Sequence, residues 1–417
     1  MIGGENRQMN GNWKKKFVTI AAGQAASLIG SSAVQFALIW WIASETGSAF
    51  MMGMAGLAAF LPATLLSPLA GIAADRYNRK YICVCADMFV GAVAAVFAVL
   101  LWVRPMPVWT AVVILFLRSM SSAFHSPSFQ AMIPQFVPAE DLMKVGGWNQ
   151  MVVSGSFLLG PAIGAALYAA FPLPVVLLTD LAGALIASIM LMIVRIAPVE
   201  KTIAEKHSMI KEFKEGVQVI KADRALSVLI LVETLCMVFF MPLSSFYPLM
   251  TSDYFGGSAW HGSAVEVAYA LGMMAAAFLI GNVIKIRRQL FASYIGILGV
   301  GVTSALCGIL PHDMWAWAAF AVLCGIMGAF ANVNSIPFVA YMQATIPAEK
   351  MGRAFSLFAL ASSLAMPLGL LVASPLAEII GVPMWFLISG ASTVVISIAG
   401  MIIHSSLEKA EKHREQQ

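Results

Sequence analysis

The sequence predicts an all-α membrane protein, with twelve transmembrane helices arranged as two pseudo-symmetric six-helix halves. Three observations predict it. Hydrophobic residues make up 60% of the 417 positions, well above the roughly 45–50% of a soluble globular chain. Apolar runs of about twenty residues, each able to cross a ~30 Å hydrocarbon core as a helix, recur from end to end. Lys and Arg gather on alternate loops between those runs. The runs are solidly apolar rather than alternating, which argues against a bilayer barrel.

The first bundle takes spans near 17–42, 50–72, 80–103, 108–132, 145–170 and 174–196. The second takes 224–250, 263–284, 289–310, 313–342, 353–379 and 383–405. The organisation follows: an N-terminal arm (1–16), a bundle (17–197), a linker (198–223), a second bundle (224–405) and a tail (406–417). The first run is too long for a signal-peptide core and reads as a retained helix. Gly and Pro inside the runs are tolerated because neighbouring helices and water satisfy the freed backbone groups. In the linker, Ile203, Ile210, Phe213, Val217 and Ile220 keep helical spacing among Lys and Glu. That pattern fits an amphipathic helix on the inner membrane surface; a disordered tether is the alternative.

The cations set the topology. Arg7 and Lys14 to Lys16, then Arg76, Arg79 and Lys80, then Lys144, then a cluster from Arg195 to Arg224 fall on one side. Lys285, Arg287, Arg288, Lys350, Arg353 and the tail join them, while the opposite side holds only Arg104. Both termini are therefore expected in the cytoplasm, in a cell membrane. The net charge of +4 records loops facing anionic lipid and gives no reason to expect nucleic acid. The five cysteines show neither a Cys-x-x-Cys pair nor metal spacing, and read as packing residues. No Gly-x-x-x-x-Gly-Lys loop is present, and the six His are scattered, so neither nucleotide drive, nor a metal, nor an enzyme is expected.

An internal repeat supports the two halves. VPAEDLMKV at 137–145 and IPAEKMGRA at 346–354 lie 209 positions apart. SPSFQA at 126–131 and SIPFVA at 335–340 share that register, as do Arg76 and Arg79 with Lys285 and Arg288. Three matches in one register indicate a parallel repeat, an arrangement suited to rocking-type alternating access.

Polar side chains inside spans mark candidate function, because each is costly in lipid. Gln24, Ser27, Ser31 and Gln35 share one face of the first span and either line a cavity or bond neighbouring helices. Arg118, Ser121, Ser122 and His125 share a face of the fourth; a cation there costs roughly 3 kcal/mol unless paired or hydrated. Arg118 is expected to find an acid or backbone carbonyls. The intramembrane acids are Asp87, Asp180, Glu233 and Glu266. Desolvation favours the neutral form of a carboxyl group, so such an acid can take and release a proton. Glu233 is the first candidate for proton coupling, with Asp87 and His125 behind it; Asp180 and Glu266 lie nearer the outer surface as structural partners. Met237, Phe240 and Tyr247 continue the Glu233 face and, with 26 Met in the chain, suggest an adaptable apolar cavity.

The charged stretch GIAADRYNRK, Gly71 to Lys80, makes a resemblance specific. The chain resembles the major facilitator superfamily, whose loop between helices two and three reads G-x-x-x-D-R-x-G-R-K. Gly71, Asp75, Arg76, Arg79 and Lys80 stand in those places, with Asn78 where Gly is usual. Asn tolerates left-handed backbone, so the turn is expected to form in that conformation. The resemblance implies a cytoplasmic gate in which Asp75 pairs with a guanidinium and a helix dipole. Arg118 falls where the family has a mid-helix Arg. Ser156, Gly160, Pro161 and Gly164 partly match the antiporter pattern of the fifth helix, with small residues kept for close packing.

WKKKF, AGQAASLI, RSMSSAFHSP and GRAFSLFALASSLAMPLG make the chain similar to the macrolide-efflux (Mef-type) branch of drug:proton antiporters. That implies export of amphiphilic, macrolide-like drugs against inward proton flow, by a monomer in membrane lipid and without a cofactor. A proton crossing about 150 mV supplies about 3.5 kcal/mol, enough for a solute gradient on the order of 300-fold. Export of a lysophospholipid, siderophore or other amphiphile is the alternative within the fold; a membrane-embedded enzyme is the alternative outside it.

Overall fold

The computed structural model describes the chain except residues 1, 139–140, 197–216, 219, 222, 285, 347 and 416–417; at 2–12, 75, 143, 348–349, 352–353, 356 and 408–415 it describes the backbone alone. Every regular element among the described residues is a helix. In order they are α1 (Ile2–Thr46), α2 (Ala49–Arg76), α3 (Arg79–Val103), α4 (Trp109–Met132), α5 (Leu142–Ala170) and α6 (Leu173–Ile193). Then come α7 (Arg224–Phe240), α8 (Leu243–Leu249), a π turn (Met250–Tyr254), α9 (Ala259–Asn282), α10 (Gln289–Gly308), α11 (Met314–Thr345), α12 (Ala348–Ile380) and α13 (Val382–Glu415). Most of the expected linker helix over 198–223 lies outside the described residues.

Eleven helical stretches among the described residues are long and apolar enough to cross a bilayer. The remaining expected span is α4, which carries Arg118, His125, Gln130 and several Ser from its middle onward. The seventh span departs from the single helix expected over 224–250. It runs on to Tyr254 and breaks between α7 and α8. Pro242 at the break has no N–H to give the preceding turn. A Cβ added to Gly369 of α12 would lie 2.2 Å from the Val238 carbonyl oxygen, so backbone packs directly over this break.

The chain divides into two compact units, Met1–Thr46 with Ala58–Ile203, and Gly47–Leu57 with Ala204–Gln417. In the first, α1 packs on α5 and α6, and α3 on α4 and α6. In the second, α7 packs on α12 and α13, and α10 on α11 and α13. The same four pairings thus recur one repeat later. Each unit has an apolar cluster, with Ile20 and Phe129 in one and Leu229 and Phe338 in the other. These pairs keep the 209-residue register.

Two local features set the site's frame. A Cβ at Gly160 would meet the Ser32 Cβ at 2.2 Å, and one at Gly164 would meet the Ala33 carbonyl at 2.7 Å. Glycine therefore allows α5 to lie against α1, with Ser156 folded onto its own helix through the Val152 carbonyl (2.8 Å). The expected left-handed turn at Asn78 does not form. Its φ is −71° and ψ 112°, and its side chain accepts from the Lys80 N–H at 3.0 Å. Asn78 is the N-cap of α3, a position Asn favours because its oxygen satisfies an orphan donor.

Candidate functional site

In the first unit, three helices bring charge to one cavity of about 290 Å³, and α1 brings amides and hydroxyls. From α4, Arg118 ion-pairs with Asp180 of α6 and donates to the Ser31 carbonyl at 2.9 Å. Ser31 Oγ also donates to Asp180 Oδ1 at 2.7 Å. Arg118 is 8% exposed and Asp180 2%; each charge is tolerable at that depth because the other is there. Asp180 is thus a partner inside the site.

Two helical turns further along α4, His125 Nε2 stands 3.5 Å from Asp87 Oδ1 of α3. Gln24 of α1 donates to Asp87 Oδ2 at 3.3 Å. The His125 ring stacks on Phe129, with centroids 5.8 Å apart, and Ser121 ties α4 to the Ala86 carbonyl of α3 at 2.8 Å. Gln35, Ser27 and Ser122 line the same cavity.

The second unit carries a related cluster. Glu233 on α7 is 3% exposed and accepts from Asn334 Nδ2 of α11 at 2.6 Å. Ser293 of α10 donates to Asn334 Oδ1 in turn. Reading polar residues span by span missed Asn334 and Ser293. The repeat register could have found Asn334: Gln24 and Glu233 are 209 apart, and so are His125 and Asn334. The same register sets Arg118 against Met327 and Asp180 against Ser389. There, Tyr247 Oη meets Met327 Sδ at 3.2 Å, and Ser389 donates to the Phe239 carbonyl at 2.9 Å. One half holds an ion pair where the other holds a thioether and a hydroxyl.

The remaining candidates are spread out. Met237 and Phe240 are half-buried on α7, while Tyr247 is packed among Phe320 and Phe386, at centroid distances of 6.0 and 5.6 Å. Glu266 is half-buried on α9. In the charged stretch, Arg79 donates to the Ala74 and Ala131 carbonyls at 2.9 and 2.8 Å. Lys80 Nζ donates to those of Met192 and Val194 at 3.0 and 2.9 Å. These cations thus satisfy carbonyls at the ends of α2, α4 and α6. Arg76 is exposed, a Cβ at Gly71 would meet nothing within 4 Å, and the Asp75 side chain lies outside the described residues. Among the described residues, no group of three or more His, Cys, Asp and Glu is placed to hold a metal ion.

The Major Facilitator Superfamily profile matches residues 20–370. The chain is 37% identical to Macrolide efflux protein A of Streptococcus pyogenes, over 94% of this chain and 97% of that one. It is 35% identical to Macrolide efflux protein A of Enterococcus faecalis, over 78% and 100%. Among solved structures, a bacterial homologue of the human lysosomal transporter Spinster superposes with a TM-score of 0.70 over 95% of this chain and 97% of that one. At 13% identity that likeness speaks for the fold alone. With helices long and apolar enough to cross a bilayer many times, a repeated helix-pairing pattern and this match, the chain is a multi-pass membrane transporter and belongs to the major facilitator superfamily.

Proposed function

We propose that this transporter exports macrolide-like amphiphilic drugs from the cytoplasm in exchange for protons, by alternating access. Its similarity to two macrolide efflux proteins over most of their length supports the substrate class. The observation that carries the proton reading is the Asp87–His125 pair opening on the polar cavity. A proton on His125 makes the contact an ion pair; without it, Asp87 keeps the Gln24 amide and a neutral imidazole. An arrival in the cavity that competes for Asp87 therefore shifts the balance between the two states. Glu233, held by Asn334 in the second unit, is the other proton carrier in this reading. Both termini face the cytoplasm, the Gly71–Lys80 stretch gates that side through Asp75, and a monomer in lipid suffices.

The test uses everted vesicles holding a respiration-driven pH gradient, challenged with a panel of macrolides and other amphiphiles. Dissipation of the gradient by a macrolide, dependent on this protein, is the expected result. Transport of a macrolide that leaves the gradient untouched would remove proton coupling, and a response only to another amphiphile would reassign the substrate.

A further inference from the structure

We infer that the cavity of the first unit is a binding site for a polyhydroxylated ring: the sugar portion of a glycosylated amphiphile. The inference rests on the drug-export reading and names the part of the solute that this half takes.

As in most ligand pockets, apolar atoms make up the larger part of the cavity's lining surface. Polar residues are nevertheless the more numerous, hydroxyls and planar groups among them. Gln24, Gln35, Asp87 and Arg118 place two amides, a carboxylate and a guanidinium around one space. Such planar groups engage two neighbouring hydroxyls at once, the geometry that vicinal diols present. The fixed charges are already matched inside the site, Arg118 with Asp180 and Asp87 with His125. A neutral guest rich in hydroxyls can compete for Asp87 by hydrogen bonding without bringing a new charge into the site, whereas a guest with a full charge of its own would leave one partner of a pair unmatched.

Spare hydrogen-bonding capacity points the same way. Ser32, Gln35 and Ser122 line the cavity with no hydrogen-bond partner among the described residues. Unmatched polar groups reject an apolar guest, because burying them unpaired costs about 1–3 kcal/mol each. Phe157 adds an aromatic face on which the C–H side of a ring can lie. The volume of about 290 Å³ lies at the low end of the roughly 300–1,000 Å³ of small-ligand pockets, which suits one ring of a larger guest.

The experiment uses the purified full chain in lipid nanodiscs, with two uncharged probes kept below their micelle concentrations. These are n-heptyl β-glucoside and a heptyl oligo(ethylene glycol) ether of equal chain length, with binding read by calorimetry. The wild type should bind the glucoside at least tenfold more tightly than the ether. In the double variant Gln35→Leu, Ser122→Ala, that preference should fall to within about twofold; neither side chain has a hydrogen-bond partner among the described residues. Equal affinity of the two probes for the wild type overturns the assignment, as does a preference that survives the double variant. The outcomes separate from those of the export reading. Glucoside preference without macrolide transport sinks export alone, and macrolide transport without glucoside preference sinks the sugar site alone.

Discussion

Removing Asp180 should do more harm than removing both members of its pair. Asp180→Ser leaves the Arg118 guanidinium, 8% exposed, with only the Ser31 carbonyl as partner. Breaking a buried pair from one side costs about 3–5 kcal/mol, because an uncompensated charge stays behind. The second unit shows what the same scaffold does without charge, placing Met327 and Ser389 at the equivalent positions. The double variant Arg118→Met, Asp180→Ser copies that solution and should recover most of the loss, to within about 1–2 kcal/mol of wild type. For a compact body of 150–250 residues each kcal/mol moves the midpoint by about 2–4 °C, so the single variant should drop by roughly 6–20 °C. Thermal unfolding followed by tryptophan fluorescence in one detergent, with the four proteins arranged as a double-mutant cycle, reads this directly. Additive losses would refute the reasoning, since they would mean that the two side chains do not compensate one another.

Other expectations follow from the same geometry. Asn78→Ala should cost about 1 kcal/mol and Asn78→Gly only a few tenths, as for an N-cap; a stabilising Gly would instead indicate the left-handed turn, and chemical denaturation distinguishes them. Lys80→Met should cost about 0.3–1 kcal/mol by removing a cation from the end of α6, measurable as a lowered unfolding midpoint that Lys80→Arg largely restores. Gly164→Val drives a side chain into the Ala33 carbonyl and should reduce folded yield in size-exclusion chromatography. Glu233→Gln should abolish pH-driven uptake into everted vesicles while preserving downhill exchange; normal coupling in that variant would hand the role to the Asp87–His125 pair.

The helices were legible because lipid imposes a blunt requirement, twenty apolar residues at a time, that local composition meets or fails. The need of Arg118 for a partner was legible too, from the cost of an unpaired cation. Its identity was not: Asp180 is 62 positions away, and only the packing of α4 and α6 around α1 and α3 brings the two together. Asn78 failed for a different reason. Its ability to adopt left-handed backbone is a local property, and the start of α3 offered a better use for its oxygen. The Glu233 cluster shows how much a repeat can hold unread. Its register had been found in the loops, where charges are conspicuous, and extends through the spans to pair Glu233 with Gln24 and Asn334 with His125.

The interruption between α7 and α8 has a mechanical consequence. Where Pro242 withholds an N–H, the Val238 carbonyl lacks its intrahelical partner, and bending stiffness at that point falls. Glu233 lies about two turns before the joint, and the Tyr247 ring packing lies beyond it. The seventh span therefore behaves as two levers sharing a pivot. Gly369 sets how far the pivot can travel, because its backbone already touches the Val238 oxygen side of the break. A bulkier residue at 369 would wedge the joint at one angle, converting a compliant element into a rigid strut without altering a single polar group.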